Sequence, residues 1–326
     1  MSAEARPAPT TFYREIARNR RRSWVLVAIV IVVLGALGGA IGYATGFGWG
    51  GVAIAVVVAS LMSIGSYFAG DALVMATSGA REIDLTATVP DGYRQLVNVV
   101  EEMRLAGGLP RPRIWVIDDS APNAFATGRD PQHASVAVTT GLLTKLDREQ
   151  LQGVIGHEMS HIGNLDIRFT LLVGVLVGAI ALLADWFLRF TFWGGGRRSS
   201  SDREGGGGGA AAIIFVLALV LAVLAPLIGR LVQAAVSRTR ESMADATSVE
   251  LTRNPLGLAR ALRTISDDPE VLEVANRATQ HLYIVNPIKS FEQRAKSLWD
   301  THPPIGERVV ALENIAGQMG LLSAAR

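Results

Sequence analysis

His157 and His161, with Glu158 directly after the first, are the residues whose types and spacing point most directly to chemistry. Side chains four residues apart on a helix lie one turn above each other and point the same way. Both imidazoles can therefore reach one metal ion, and the glutamate can hold the water molecule that a metal activates. The sequence His-Glu-Met-Ser-His thus predicts a metal centre with a general base beside it.

The residues before this motif predict a helix with a defined start. Asp147 is a suitable N-cap, and Gln150 stands at the third helical position, where it would complete a capping box. Apolar residues then recur at helical spacing, at Leu151, Val154, Ile155 and Ile162. This context argues against the alternative, a surface helix that carries two histidines by chance.

A tetrahedral site with two histidines needs a third protein ligand and an open position for water. The chain has no cysteine, so this ligand must be a histidine or a carboxylate. Glu241 is a candidate, and Asp245, four residues later, shares its face of a predicted helix and could accept a hydrogen bond from a ligating histidine. The alternative is that both are solvent-exposed charges paired with Arg238 or Arg240.

Apolar residues are segregated into blocks along the 326-residue chain, and residues 23–70 contain no charged residue. Because a membrane helix needs about 20 residues, this stretch is long enough for two. A cleaved signal peptide is the competing interpretation, but a second apolar run follows the first at once. The predicted membrane segments are a hairpin over 24–70 with spans at 24–45 and 50–69, a third span within 167–193, a flexible Gly/Ser outer loop over 194–210, and a fourth span within 211–236.

The basic tail over residues 1–23 carries six arginines before the first predicted span. Basic residues mark the cytoplasmic side, so we expect a multi-pass protein of the cell (inner) membrane whose N-terminus is cytoplasmic. Four crossings return the two halves of the catalytic domain, 71–166 and 237–326, to that side, together with the C-terminus and the active site. Nucleic acid is not an expected partner, because no basic stripe interleaved with aromatics lies outside the membrane flanks.

Five further stretches accompany the histidine motif between about 120 and 310, at 122–128, 137–143, 237–245, 281–287 and 301–308. With the predicted membrane hairpin between the two halves, they resemble, in order, the HtpX heat-shock family of membrane zinc proteases, relatives of the type I CAAX prenyl proteases. The resemblance implies a mainly α membrane protein with four transmembrane helices. It also implies a cytoplasmic gluzincin-like α+β metallopeptidase domain that carries a small sheet. Within that domain, His157, His161 and Glu241 would bind one zinc ion per chain.

The expected reaction is peptide hydrolysis, in which Glu158 takes a proton from the attacking water and delivers it to the leaving amine. His302, in the matching Thr-His-Pro-Pro stretch, is a candidate donor to the developing oxyanion. A histidine that caps a proline-rich turn is an equal alternative for this residue. His133 and His281 are expected to be structural or surface residues.

Residues 134–139 alternate small or polar with branched side chains, which predicts a half-exposed strand. Proteases commonly bind extended peptides along such an edge, so Val138 is predicted to lie in the substrate-binding strand. Asn123 could offer its side-chain amide to the substrate backbone. Alternatively, it caps its own turn after Pro122.

These observations predict a membrane-bound zinc endopeptidase that cleaves misfolded or membrane proteins at the cytoplasmic face. The resemblance suggests that this activity serves quality control under stress. The expected partners are protein or peptide substrates and the lipid bilayer. Two alternatives remain, a CAAX-type prenyl-protein protease and a non-enzymatic membrane zinc transporter or sensor. The latter would need acidic or histidine residues at the centres of the predicted spans, which have none.

Overall fold

The computed structural model describes residues 49–171, 240–272, 283–284 and 304–321, together with single positions between 21 and 39. Several predicted features lie outside the described residues: nearly all of the tail 1–23, most of the first span, the third span beyond residue 171, the loop 194–210, the fourth span, His281 and His302.

Helix α1, Trp49–Thr77, contains the stretch 50–69 that the sequence predicts as the second span. The helix continues past that stretch, and near its end Val74 and Met75 are buried. Asp71 pairs with Arg113 of the sheet at 2.5 Å. Counting only the residues that the structure describes, none of the helices combines the length and the apolar character needed to cross a membrane.

Four strands form a mixed sheet in the order β1–β2–β4–β3. Strands β2 and β4 pair in parallel, and the two outer pairs are antiparallel. The chain passes from β2 to the far edge and returns through a tight turn in which Asp130 accepts a hydrogen bond from His133 N–H. The strands are β1, Arg81–Glu82; β2, Arg113–Ile117; β3, Ala124–Gly128; and β4, Ala134–Thr139.

Strand β4 is an interior strand, so the prediction of a half-exposed edge over 134–139 is wrong. All six of its residues are buried, and Val138 pairs with Val116 on one side and Ala124 on the other. Val138 belongs to the main core, whereas its neighbour Ala137 belongs to the cluster on the opposite face of the sheet. Both faces of this strand are therefore buried, and the alternation in the sequence does not mark a solvent-exposed side.

Six α-helices with defined bounds surround the sheet in the described part of the chain, and residues 240–252, here termed the glutamate helix, are also helical. Helix α4 begins with the predicted capping box, because Asp147 accepts from Gln150 N–H and Gln150 accepts from Asp147 N–H, each at 2.9 Å. After α1, the helices are α2, Asp91–Gly107; α3, Thr140–Lys145; α4, Arg148–Gly163; α5, Pro255–Asp267; and α6, Ile305–Gln318.

Helix α4 lies at the centre of the main hydrophobic core, where it packs against α2, α5 and β3. The contact with α5 is close: a Cβ added to Gly153 would lie 2.6 Å from the backbone nitrogen of Leu258. Ser248 of the glutamate helix donates to the Gly153 carbonyl at 2.7 Å. Elements from both halves of the sequence thus fix the position of the histidine-bearing helix.

Candidate metal centre

The two histidines of α4 turn their Nε2 atoms toward each other. These atoms lie 3.1 Å apart, and the two rings are nearly perpendicular at 88°. His157 is fully buried, and the His161 side chain is 16% exposed. The spacing of four residues therefore produces the shared direction that the sequence predicts.

The glutamate helix brings Glu241 to the same point. One carboxylate oxygen lies 3.4 Å from His157 Nε2, and the other lies 3.5 Å from His161 Nε2. A tetrahedral ion with bonds of about 2.0–2.1 Å to nitrogen keeps its ligand atoms about 3.3 Å apart. The three donor groups, whose ligand atoms all lie within 4.8 Å of one another, therefore fit a single metal ion.

A carboxylate contacts the outer nitrogen of each histidine. His157 Nδ1 lies 3.0 Å from Asp245, and His161 Nδ1 lies 3.0 Å from Asp166. A carboxylate accepts a hydrogen bond, so each Nδ1 carries the proton, and the Nε2 lone pair of a neutral imidazole is left for a metal. Both rings are thereby held in the tautomer and orientation that ligation needs.

Sequence analysis did not identify Asp166 as a partner of His161. Helix α4 ends at its C-cap Asn164, and Leu165 follows with a φ of 59°, so the chain turns sharply before Asp166. Arg240 Nε lies 3.9 Å from the other Asp166 oxygen. The turn explains why a residue five positions after His161 faces the histidine, because continued helical spacing would have placed it off that face.

Arg308 of α6 is the second residue that the sequence analysis did not assign. Its guanidinium binds both oxygens of Asp245, at 2.9 Å and 2.6 Å, and lies 3.5 Å from Glu241. The sequence could have identified this residue, because Arg308 lies on the apolar stripe of its helix with Ile305, Val309 and Leu312. A charge on such a stripe indicates a buried ion pair.

The pKa values of the paired groups reflect this arrangement. Burial by itself raises the pKa of Asp245, but the charge of Arg308 and the hydrogen bonds from His157 and Arg308 outweigh burial and lower it to about 2. Burial by itself lowers the pKa of His157, but hydrogen bonds to Asp245 and Glu241 outweigh burial and raise it to about 9. At neutral pH, a metal ion therefore has to displace a proton from His157.

The balance of buried charge also fits a divalent ion. In the described part of the chain, four carboxylates that are at most 6% exposed lie in or beside the donor set: Glu241 within it, and Glu158, Asp166 and Asp245 beside it. The two arginines that face them, Arg240 and Arg308, supply half of the compensating charge. Since buried charge is costly unless it is compensated, a cation of charge two suits this site.

The other predicted site residues have varied positions. Glu158 is 2% exposed and interacts electrostatically with Arg308. Asn123 precedes β3, and its side-chain oxygen accepts from Ala124 N–H at 3.0 Å, so this oxygen supports the start of the strand. Val138 lies inside the sheet, as described above, and does not form a substrate edge. His302 is outside the described residues.

Comparisons with known proteins identify the family of this chain. The family model described as Peptidase family M48 matches residues 90–316. A "Protease HtpX homolog" of Streptococcus thermophilus (strain CNRZ 1066) is 44% identical over 304 residues, covering 93% of this chain and 99% of the relative. Another, from Levilactobacillus brevis, is 45% identical over 305 residues with the same two coverages. The crystal structure of S. mikatae Ste24p covers 79% of this chain and 57% of its own, with 18% identity and a TM-score of 0.44, too weak a likeness to argue from.

The donor set and these matches define a metal-dependent protease. The chain belongs to peptidase family M48, and the relatives that cover it almost end to end are HtpX proteases. The predicted resemblance and enzyme class are therefore confirmed, and the non-enzymatic transporter or sensor is set aside. The expectation of an α-rich peptidase with a small sheet is confirmed as well.

Proposed function

We propose that this metalloprotease is a zinc endopeptidase of the cell membrane that cleaves misfolded or membrane proteins at the cytoplasmic face. His157, His161 and Glu241 would hold the zinc. The observation that carries the proposal is the convergence of these three groups at ligand distance, with the outer nitrogen of each histidine held by a carboxylate. Nitrogen and oxygen donors in a three-ligand set are typical of catalytic zinc sites.

When bound, zinc supplies Lewis acidity that lowers the pKa of water toward neutrality and stabilises negative charge on oxygen. Glu158 follows the first ligand on α4 and is the general base in this proposal. It accepts the proton of the attacking water and then transfers that proton to the nitrogen of the leaving amine. Asp166 and Asp245 would accept the Nδ1 hydrogen bonds and so fix the orientation of the two rings, with each Nε2 directed to the metal.

Strand β3 is the substrate edge in this proposal, because it ends the sheet on the side of α4. Residues 123, 125 and 127 pair with β4, so the backbone groups of Ala126 point away from the sheet. Ile284 N–H already donates to the Ala124 carbonyl on this edge at 3.0 Å. The edge therefore accepts a hydrogen bond from another segment at Ala124, and an extended peptide would bind in the same manner through the outward groups of Ala126.

Ala126→Pro tests this placement because proline removes the outward N–H without removing a bond to β4. We expect peptide cleavage to fall about two- to tenfold from one lost hydrogen bond, with bound zinc unchanged. Ala126→Gly keeps the N–H and serves as the control. Full cleavage by Ala126→Pro would place the substrate elsewhere.

The membrane part of the proposal comes from the sequence. Residues 23–70 lack charge, and the basic tail before them favours a cytoplasmic N-terminus. The charged, folded domain that carries the metal centre would then lie at the cytoplasmic surface, where exposed segments of damaged membrane proteins are within reach. Quality control is the role that fits such a protease. Its proposed binding edge would bind the peptide backbone more than the side chains, so it would accept substrates of many sequences.

The decisive experiment compares purified wild type with Glu158→Gln for zinc content and for cleavage of casein and of a prenylated peptide. We expect one zinc per chain in both proteins and casein cleavage by wild type alone. Glu149→Gln is the matched control, since it makes the same change on the exposed start of α4, where Glu149 pairs with Arg260. Cleavage of the prenylated peptide without casein would favour the CAAX-type alternative. Equal cleavage by Glu158→Gln would remove Glu158 from its role.

A further inference from the structure

Arg308 connects the last described helix to the metal centre. Its guanidinium reaches three groups of the site: Asp245 at 2.6 Å, His157 Nδ1 at 3.3 Å and Glu241 at 3.5 Å. Asp245 receives it in a two-pronged arrangement, through Nε to one oxygen and Nη2 to the other. The oxygen that accepts from Nη2 is also the one that contacts His157.

This geometry gives the guanidinium a function that a simple positive charge would not fulfil. A bidentate pair fixes the plane of the Asp245 carboxylate as well as its position. The plane of the carboxylate sets the direction from which His157 Nδ1 donates, and hence the direction of the Nε2 lone pair. The same guanidinium limits where the Glu241 carboxylate can lie.

The rest of α6 has its own reasons to pack. Val309, Leu312 and Ala316 are at most 5% exposed, and the helix lies against α5. On the surface of that interface, Arg263 of α5 pairs with Glu313 of α6 at 2.5 Å. Apolar burial therefore holds the helix in the fold, while Arg308 is its link to the ligands.

We propose that Arg308 is a positioning residue for the metal ligands, and that docking of α6 and metal binding are coupled through it. The inference rests on the proposed metal site. A docked α6 orders Asp245, His157 and Glu241 for the ion, and a bound ion, by holding those groups, favours the docked helix. Such coupling is reciprocal, so each event strengthens the other by the same factor.

The experiment uses the full chain with Glu158→Gln as background, so that self-cleavage cannot confuse the result. Zinc dissociation constants are measured by competition with a chelator for the background protein and for added Arg308→Met, Arg308→Lys and Arg263→Met. Arg263→Met is the matched control, because it removes an arginine from the same α5–α6 interface away from the ligands. Hydrogen exchange of residues 305–318 is measured in the zinc-free and zinc-loaded background protein.

We expect Arg308→Met to weaken zinc binding by about 10- to 100-fold, the usual effect of losing a group behind a ligand. Arg308→Lys keeps the charge but loses the fork, so its affinity should lie between Arg308→Met and the background protein. Arg263→Met should bind zinc as the background does, and zinc should slow exchange across α6. Unchanged affinity in Arg308→Lys together with zinc-independent exchange would overturn the coupling, even if Arg308→Met fails to fold. Absence of zinc binding in the background protein would instead overturn the proposed function.

Discussion

The two ligand histidines are held by carboxylates that are themselves held differently. Asp245 forms a two-pronged pair with Arg308, whereas Arg240 Nε lies 3.9 Å from Asp166. His161 is also the more exposed of the two ligands. The contact from His161 Nδ1 to Asp166 therefore contributes to the orientation of the more exposed histidine.

Asp166→Asn tests this dependence. An amide oxygen can still accept from Nδ1, but it lacks the charge that strengthens the bond, so we expect zinc affinity to fall by about tenfold, at the low end of such changes. Competition with a chelator measures the effect. Asp118→Asn is the control, because Asp118 is 75% exposed and pairs with Arg81 on the surface. Equal affinities in the two variants would mean that Asp166 does not orient the ligand.

Sequence patterns predicted the residues of the site that share a helix. His157 and His161, and likewise Glu241 and Asp245, are four apart, and this spacing places both members of each pair on one face. Asp166 and Arg308 escaped prediction because their positions depend on a turn and on the docking of a distant helix. Neither the turn nor the docking produces a regular spacing in the sequence. The charge of Arg308 on the apolar stripe of α6 did indicate a buried ion pair.

Helix α4 owes its position to close contacts that only small residues allow. At Gly153, an added methyl group would meet the backbone of Leu258 at 2.6 Å and 2.7 Å, and backbone cannot swing aside as a side chain can. Among the secondary-structure elements, the start of α4 was predicted correctly, because the residues of its cap are close together in the sequence. Prediction failed for β4, because alternation cannot distinguish a solvent-facing side from a second buried side.

Gly153→Ala should destabilise the fold by about 1–3 kcal/mol, the usual cost of overpacking a core, and lower the thermal midpoint. The same substitution at Gly92 of α2, where no other element of the described chain lies within 4 Å of an added Cβ, should be neutral or stabilise by about 0.4–1 kcal/mol. Thermal unfolding of both variants in the Glu158→Gln background provides the comparison. A stable Gly153→Ala protein would show that α4 and α5 can separate at little cost.

The molecule builds one centre from three separate parts of its sequence. The histidines come from residues 148–163, the third ligand from residues 240–252, and the supporting arginine from α6. An ion bound here joins elements that the sequence separates, so binding should stabilise the entire domain. The histidine helix, and a carboxylate ligand from a second helix far along the chain, were predictable from sequence. The way in which α6 closes the site was not, since it requires packing between α5 and α6.

Removal of the metal tests this view of the molecule. For a site that binds only in the folded state, free zinc at 100 times the dissociation constant stabilises by about 2.7 kcal/mol. We therefore expect zinc to raise the thermal midpoint of Glu158→Gln and a chelator to reverse the rise. A protein that also carries Glu241→Gln should show little response at the same zinc concentration. A similar shift in both proteins would place the stabilising ion elsewhere.

Because the ligands are far apart along the chain, the ribosome synthesises them at different times. About 80 residues lie between His161 and Glu241, and a ribosome that adds about 5–20 residues per second needs about 4–16 s to make them. During that interval, the nascent polypeptide carries both imidazoles and the general base but lacks the carboxylate that completes the centre. With the proposed ligand set, proteolytic competence would begin only after the glutamate helix has been synthesised, which would spare the emerging chain from its own activity.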